Sequence, residues 1–415
     1  MTIGRRQALL WGPLFIFLVA FILHINQMFI MFAALGLLGP ISYLLGRRKL
    51  GGIEVARHAK SVMTAGELGQ VTLKVRNEGQ TRQFYMTVRD SLPEGLESPD
   101  AGEVLVADLA PGGEQRLQYS LHARRRGVYQ VGPTVLEGWD FLGLYRFSRT
   151  VGRQVELLVY PRPLPVPNLW RSSLHGRTPN KPRKRIVGPS SELHGVRDYV
   201  PGDDLRRVAW KVSARRGKLA VIETEQTEAT EAVVIVDLAA ATHRGQGDRS
   251  TVEYAATLAA SVTAEALGRG CNLGLIAHGS EDWSVLVSSN PRQQLAILEA
   301  LARIRPDGTM SISEALHLHE AELPPGCSMI VISAGTSPEH VAVAGRLRAL
   351  QHPVTWLALA PHTFASAPRD ARMHFAEHVA LLTSQGTRVV QVTGDNPVET
   401  SLWRGGAGRY AQTTG

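Results

Sequence analysis

Cysteine is scarce in this sequence, with only 2 among 415 residues, so a framework of disulfide bonds cannot hold the fold together. Cys271 and Cys327 stand beside predicted strands, and we interpret them as reduced core residues of a cytosolic compartment. Short catalytic motifs are missing as well: there is no G-x-S-x-G, H-E-x-x-H, G-x-x-x-x-G-K-[ST] or C-x-x-C. We therefore predict no catalytic residues, no cofactor and no enzymatic activity; a hydrolase built from scattered Asp and His is the remaining enzymatic alternative.

The spacing of the histidines gives little support for a zinc site. His317 and His319 stand two positions apart in the segment HLHEAE, so they do not share one face of a helix. The sequence thus argues against a zinc site within residues 317–322, and we predict no bound metal.

Acidic residues are scarce in one part of the chain, and this imbalance accounts for the net charge of +8. Residues 171–218 contain 13 Lys and Arg but only 4 Asp and Glu. The run KPRKR at residues 181–185 raises nucleic-acid binding as an alternative, but no aromatic ladder, zinc-ligand spacing or helix-turn-helix pattern accompanies it. We expect no nucleic-acid partner. Residues 162–230 are interpreted as a Pro-rich basic linker, solvated or near anionic lipid head groups, followed by a charged signature segment.

Charged residues are absent from two long apolar runs, at residues 9–25 and 28–45. Each run is long enough to cross the hydrocarbon core of a bilayer at about 1.5 Å per residue. Basic residues flank the pair on both sides: Arg5, Arg6, Arg47, Arg48 and Lys49. Residues 1–50 are thus predicted to form a transmembrane hairpin, with its turn at Asn26 and Gln27 and both flanks in the cytoplasm. A cleaved signal peptide and a buried soluble helical hairpin are the alternatives.

Residues 51–161 show the alternation of apolar and polar residues that is typical of β-strands. The clearest runs cover residues 71–77, 84–90, 103–109 and 116–124, and turns rich in Gly and Pro separate them. Short strands at this spacing predict an antiparallel β-sandwich domain that is immunoglobulin-like in outline.

Residues 231–415 alternate apolar strands with helical patterns, beginning with the strand AVVIVDLA and a helix that Gly270 ends. This order predicts a doubly wound α/β domain, with a mostly parallel sheet and helices on both faces. Ligands bind such sheets at the carboxyl ends of the strands. The loops that follow Asp237, Ala277 and Ala334 are therefore the places where a site is expected.

The segment between these two domains, SELHGVRDYVPGDDLRRVAWKVSARRGKLAVIETEQ, combines acidic, basic and aromatic residues. Residues 201–202 predict a turn, and Asp203 or Asp204 is suited to cap an amphipathic helix that Gly217 ends. A structural ion-pair network and a docking face are the two explanations for the charges that crowd this segment.

This segment resembles the signature of the bacterial family catalogued as domain of unknown function 58. The family pattern is E-x-x-x-x-R-x-Y-x-x-G-D-x-x-R-x-I-x-W-x-x-S-A-R, followed by a Leu and a later Glu. We predict that a partner binds to Glu192, Arg197, Tyr199, Gly202, Asp203, Asp204, Arg206, Arg207, Trp210, Ser213 and Arg215. The pattern matches at all of these except Asp204 and Arg207, and it also matches at Ala214, Leu219 and Glu223. Val208 stands where Ile is usual.

Residues 231–415 also resemble a von Willebrand factor A domain. In that family a D-x-S-x-S loop after the first strand, a Thr in a later loop and an Asp after the fourth strand hold a metal ion. The corresponding positions in this sequence are Asp237, Ala239, Ala241, Thr309 and Ala334. Because a methyl group cannot coordinate Mg²⁺, the resemblance implies a degenerate site without a metal. Asp237 and Thr309 are then expected to form hydrogen bonds that hold the loops at the sheet edge.

Proteins of the family that the signature resembles are typically encoded beside MoxR-type AAA+ ATPases. The resemblance therefore implies an adaptor or scaffold for such an ATPase in the assembly or activation of protein complexes. It would be a multi-pass protein of the bacterial inner membrane, bound to the lipid bilayer through its hairpin, with both termini cytoplasmic. A metal-dependent von Willebrand A-type protein-binding module is the second interpretation, and a hydrolytic enzyme is the third.

Overall fold

The computed structural model describes residues 2–100, 102–140, 142–166, 193–198, 209–224, 231–364 and 370–395. The chain divides into two compact units. The first comprises Met1–Arg162 with Leu298–Arg303, and the second comprises Pro163–Ile297 with Ile304–Gly415. The protein is therefore multidomain, with apolar helices and a β-sheet-rich domain in the first unit and an α/β sheet in the second.

Two apolar helices, α1 (Thr2–Leu23) and α2 (Asn26–Arg48), begin the first unit and pack against each other. The predicted turn at Asn26 and Gln27 is wrong, because the chain already reverses at His24, whose φ is 53°, and both residues belong to α2. Within the described residues, one helix, Asn26–Arg47, is long and apolar enough to cross a membrane, by length and composition alone. The apolar part of α1, Trp11–Leu23, is shorter.

The carboxyl-terminal part of α2 packs closely on the β-sheet-rich domain. The Ser42 hydroxyl donates a hydrogen bond to the buried Asp140 carboxylate. The Tyr43 ring meets that of Tyr145 edge-on, with 5.3 Å between the centroids. A side chain at Gly46 would overlap the Phe147 ring, so the helix backbone itself lies against the domain.

The remainder of the first unit consists of the strands β1 (Ile53–His58), β2 (Val62–Thr64), β3 (Leu68–Asn77), β4 (Gln83–Asp90), β5 (Leu96–Glu97), β6 (Glu103–Leu109), β7 (Glu114–Ala123), β8 (Gly127–Val131), β9 (Thr134–Trp139), β10 (Arg146–Val151) and β11 (Val155–Tyr160). They form two four-stranded antiparallel sheets, β1-β3-β7-β5 and β10-β9-β4-β6, and a three-stranded sheet, β2-β11-β8. Alternate residues of both four-stranded sheets, such as Leu73 and Val88, fill one core. The strands confirm the β-sheet-rich domain that the alternation in the sequence predicts, whereas the third sheet was not predicted.

A charged cluster is buried within this β-sheet-rich domain. The side chains of Arg57 and Asp90 are 3% and 0% exposed, and they form an ion pair. The Tyr119 hydroxyl donates to Asp90 Oδ2 at 2.7 Å, and the Thr134 hydroxyl donates to Oδ1 at 2.8 Å. The carboxylate is thus fully paired although it lies out of contact with water.

The second unit contains an antiparallel pair, β12 (Leu193–Asp198) and β13 (Ala220–Thr224), with a short helix α3 (Trp210–Arg216) before β13. Its main sheet has the order β16-β15-β14-β17-β18-β19, and every neighbouring pair is parallel except β15 and β16. These strands are β14 (Glu231–Val236), β15 (Asn272–Ile276), β16 (Val285–Ser288), β17 (Ser328–Ser333), β18 (Val354–Leu359) and β19 (Arg388–Val392). The other described α-helices are α4 (Thr251–Gly268), α5 (Gln293–Arg303), α6 (Ile312–His319), α7 (Pro338–Ala349) and α8 (Ala371–Ser384). They belong to this unit except for residues Leu298–Arg303 of α5.

Helices cover both faces of this sheet. Val233, Val331 and Trp356 share one core with residues of α6, α7 and α8. The alternating residues Val234 and Ile332 are equally buried but point to the opposite face, where α4 contacts β14, β15, β17 and β18. Burial on both faces explains why these strands read as continuous apolar runs.

Two helices of the second unit were not predicted, α6 and α8. Helix α6 begins with a capping box: the Ser311 hydroxyl accepts the Glu314 N–H at 3.3 Å, and the Ser311 N–H donates to the Glu314 carboxylate at 2.8 Å. The cysteines lie in the interior as expected, and burial raises the pKa of the Cys327 thiol to about 12.

Candidate functional site

The predicted partner-binding residues that the structure describes lie on two elements. Arg197 is on β12, opposite Val221 of β13. Trp210, Ser213 and Arg215 are on α3. The other predicted positions lie outside the described residues: Glu192, Tyr199, Gly202, Asp203, Asp204, Arg206 and Arg207.

Helix α3 presents an aromatic and a cationic side chain to solvent. It begins at Trp210 with Ala209 as the N-cap residue, so neither of the two aspartates predicted to cap a helix caps α3. Ser213 is buried, and its hydroxyl donates to the Ala209 carbonyl at 3.0 Å. Trp210 is 64% exposed, and Arg215 is exposed as well. The helix ends at Gly217, which adopts a left-handed φ of 65°, as predicted.

At the carboxyl edge of the main sheet, the buried Asp237 carboxylate links two loops. The Ser333 hydroxyl donates to one oxygen at 2.6 Å, and the Ala239 N–H donates to the other at 3.1 Å. The Ser333 hydroxyl in turn accepts the Gly335 N–H at 2.9 Å. This is the loop-holding role expected of Asp237. The sequence analysis missed Ser333, which the parallel pairing of β14 with β17 sets beside Asp237.

The other positions of the degenerate metal loop lie at the same edge. The Ala240 N–H donates to the Gly308 carbonyl at 2.9 Å, so the loop before Thr309 lies beside the loop after β14. Ala239, Ala241 and Ala334 contribute only methyl groups there. Thr309 is exposed, and no hydrogen bond of its hydroxyl to another described residue is seen. The loop-holding role expected of Thr309 therefore stays a prediction.

Two buried histidines lie behind this edge, on the face covered by α7 and α8. His340 lies 5.5 Å from the Trp356 ring and 5.6 Å from His378, between ring centroids. Burial lowers the pKa of His340, against the opposing charge of Asp237. Burial, and to a smaller extent the neighbouring His340, lower the pKa of His378 to about 4. Both imidazoles are therefore neutral at pH 7.

A cleft of about 270 Å³ opens at this edge of the sheet. The loop after β14, the loop after β17 and the start of α8 line it, and Arg244, Asp370 and His374 bring its charged and titratable groups. Gly335 fits there because an added Cβ would meet His340 and Thr242 at 2.4 and 2.9 Å. The position is the one where doubly wound sheets bind small ligands.

Part of this chain is similar in sequence to a known family. Residues 195–377 match the sequence model of the family described as "Protein of unknown function DUF58". This match covers less than half of the chain, and it includes α3 and much of the α/β sheet. It confirms the resemblance predicted from the signature over these residues. The likeness to a von Willebrand factor A domain stays a prediction.

Curated relatives are uncharacterized proteins. The chain is 25% identical over 264 residues to "Uncharacterized protein YeaD" of Bacillus subtilis, covering 61% of this chain and 60% of that protein. It is 33% identical over 118 residues to "Uncharacterized protein Rv1480" of Mycobacterium tuberculosis, covering 28% and 37%. The chain thus spans about 60% or less of the length of these relatives.

Solved structures show only a weak likeness. The CARDB domain of the PF1109 protein from Pyrococcus furiosus, in complex with di-metal ions, has a TM-score of 0.20 and 16% identity, covering 26% of this chain and 86% of that chain. A cohesin module from Clostridium perfringens has a TM-score of 0.19 and 12% identity, covering 26% and 98%. Likeness at this level supports no functional conclusion.

Proposed function

We propose that this protein is a membrane-anchored interaction protein that faces the cytoplasm and serves as an adaptor or scaffold for a MoxR-type AAA+ ATPase. Its role is in the assembly or activation of protein complexes. In this proposal α1 and α2 both span the bacterial inner membrane and leave both termini in the cytoplasm. The α/β sheet is a von Willebrand factor A-like module, and the β-sheet-rich domain is an immunoglobulin-like spacer.

The observation that carries this proposal is the exposure of an aromatic and a cationic side chain on α3. Trp210 and Arg215 both reach solvent within the region that matches the family, and Trp and Arg are enriched among the residues that dominate protein–protein binding. The segment before α3 adds the basic and acidic side chains of the signature, which suit electrostatic steering of a charged partner. The ATPase itself is inferred from the family resemblance.

The anchor supports the same proposal. Helix α2 meets the length and composition of a membrane span, and many of its large apolar side chains are exposed, including Ile30, Leu37 and Leu44. Three basic residues follow the apolar part of this helix: Arg47, Arg48 and Lys49. By the positive-inside rule they favour a cytoplasmic location for the domains that follow.

A metal-dependent von Willebrand A-type binding module is less well supported. Mg²⁺ requires hard oxygen ligands, and three of the five ligand positions carry alanine. The remaining carboxylate, Asp237, already accepts two hydrogen bonds from Ser333 and Ala239. A metal would have to compete with both donors.

The test is a capture experiment with the full chain in detergent micelles. The immobilised protein is exposed to a lysate of the native host with and without ATP, and mass spectrometry identifies what is retained. We expect nucleotide-dependent retention of an AAA+ ATPase. Retention of nucleic acid or of a small molecule, with no ATPase, would contradict the proposal.

Substitutions in the signature segment test whether it forms the surface that binds the ATPase. We expect each of three substitutions to reduce ATPase capture at least about tenfold: Trp210→Ala, Arg215→Glu and Arg206→Glu. The reason is that loss of a central Trp or Arg typically lowers the binding free energy of a complex by about 2 kcal/mol. Leu286→Ala and Arg292→Glu are matched controls, since both are exposed residues of the α/β domain outside the signature. Circular dichroism must show that the variants fold. Joint loss of fold and capture would instead favour a structural ion-pair network.

A further inference from the structure

Three side chains that are distant in the sequence converge in the second unit. His278 follows β15, Asp282 lies in the turn that leads to β16, and His319 is the last residue of α6. One ligand atom from each lies within 4.8 Å of the other two. The turn is held in place because His278 and Asp282 form an antiparallel bridge and the Ser284 N–H donates to Asp282 Oδ1 at 2.9 Å.

The imidazole nitrogens of His278 and His319 that face the Asp282 carboxylate form no hydrogen bond with any described residue. His278 Nδ1 lies 3.6 Å from Asp282 Oδ1, and His319 Nε2 lies 3.5 Å from Oδ2. Both separations are longer than a hydrogen bond of about 2.7–3.2 Å. Both nitrogens are buried and have no hydrogen-bond partner among the described residues. Two unpartnered imidazole nitrogens therefore lie close to one carboxylate.

The spacing of these atoms suits the ligands of one metal ion. Zinc binds imidazole nitrogen and carboxylate oxygen at about 2.0–2.2 Å, which places neighbouring ligand atoms about 3.4 Å apart in a tetrahedron. His278 Nδ1 and His319 Nε2 approach the Asp282 carboxylate to about this distance, at 3.6 Å from Oδ1 and 3.5 Å from Oδ2.

A second carboxylate orients one of the imidazoles. Glu322 Oε2 lies 3.0 Å from His319 Nδ1, so the Nδ1–H donates to it and the lone pair of Nε2 points to Asp282. This carboxylate–histidine arrangement is common behind protein-bound zinc.

We propose that His278, Asp282 and His319 form a binding site for a divalent transition-metal ion of the Zn²⁺ type, independent of the proposed adaptor function. Two imidazoles disfavour Mg²⁺ and Ca²⁺, which take oxygen ligands. Asp282 is 41% exposed, so the fourth position opens to water or to an incoming donor. The ion ties the turn before β16 to the end of α6.

The experiment titrates the full chain, in detergent micelles, with Zn²⁺ against a chromogenic chelator, and with Co²⁺ while its visible absorption is recorded. We expect one ion per chain and the intense absorption bands of tetrahedral Co²⁺. His278→Gln, His319→Gln and Asp282→Asn should each weaken binding on the order of 100-fold or more, and Glu322→Gln by about 10–100-fold. His317→Gln is the matched control, because His317 is 72% exposed, lies on the same helix and should leave binding unchanged.

Two results would overturn the proposal. One is no binding of Zn²⁺ or Co²⁺ at micromolar concentration, which would leave these residues as histidine–carboxylate ion pairs. The other is equal binding by the wild type and by the three ligand variants, which would place the ion elsewhere. His319 is largely buried, so the more exposed Asp282→Asn decides the outcome if His319→Gln fails to fold.

Discussion

Acidification should loosen the α/β domain through His378, whose side chain is packed among α7, α8 and β18. The residue is 3% exposed, and its Nε2 has no hydrogen-bond partner among the described residues. Its neighbours are the Trp356 ring and His340, which is itself buried and shifted to a lower pKa. A proton on His378 would thus place an unpaired charge inside the core.

The magnitude follows from the gap between the folded and unfolded pKa of His378. The folded value is about 4, and the unfolded value is about 6.5. Because the folded pKa is depressed, the unfolded chain binds the proton first, and stability is complete above about pH 6.5 and lost as the pH falls toward 4. At about 1.4 kcal/mol per pKa unit, the full loss is about 3 kcal/mol, and most of it is reached by pH 4.5.

Hydrogen–deuterium exchange of the β18 amides measures this loss as a local opening free energy. The full chain in detergent is compared at pH 7.5 and pH 4.5, after correction for the intrinsic exchange rates. His378→Leu should remove most of the additional pH dependence. His374→Gln, on the same helix but 52% exposed, should keep it. The reasoning is refuted if wild type and His378→Leu lose equal opening free energy over this range.

Three further predictions concern stability. Asp90→Ala should cost about 3–5 kcal/mol because it leaves a buried guanidinium without its partner, and a denaturant midpoint within error of wild type would contradict this. Gly335→Ala should lower the free energy of unfolding by about 1–3 kcal/mol, because the new Cβ would lie 2.4 Å from His340. Gly345→Ala, within α7 and free of such an overlap, should be neutral or stabilising when both variants are compared by thermal melting. Addition of Mg²⁺ to about 5 mM should leave the melting temperature unchanged. A rise in melting temperature that Asp237→Ala abolishes would instead support the metal-dependent binding module.

The strands were predicted more readily than some of the helices, for physical reasons. Strand β14 reads as an unbroken apolar run because both of its faces are buried, and β3 alternates because one face is exposed. Helix α6 was not predicted because it is only 8 residues long, and its sequence ends in polar residues whose burial depends on tertiary contacts. The turn between α1 and α2 was misplaced because polar Asn26 and Gln27 suggested a break, whereas the backbone reverses at His24.

Some residues of the candidate sites could be predicted from the sequence, and others could not. Asp237 could be found because the end of a parallel strand is recognisable in the sequence, but its partner Ser333 becomes evident only from the register of β14 and β17. His319 was considered with His317, its neighbour in the sequence, whereas the fold brings it to His278 and Asp282. Convergence of residues from separate loops leaves no periodic trace in a single sequence.

The close seating of α2 on the β-sheet-rich domain has a mechanical consequence. The helix cannot turn about its long axis without breaking the buried contact of Ser42 with Asp140, and the Phe147 ring against Gly46 blocks sliding along the same axis. Helix α2 and the β-sheet-rich domain should therefore move as one rigid body. If α2 spans a bilayer as we propose, a change in its tilt would rotate the β-sheet-rich domain with it, and a force on that domain would be transmitted to the helix.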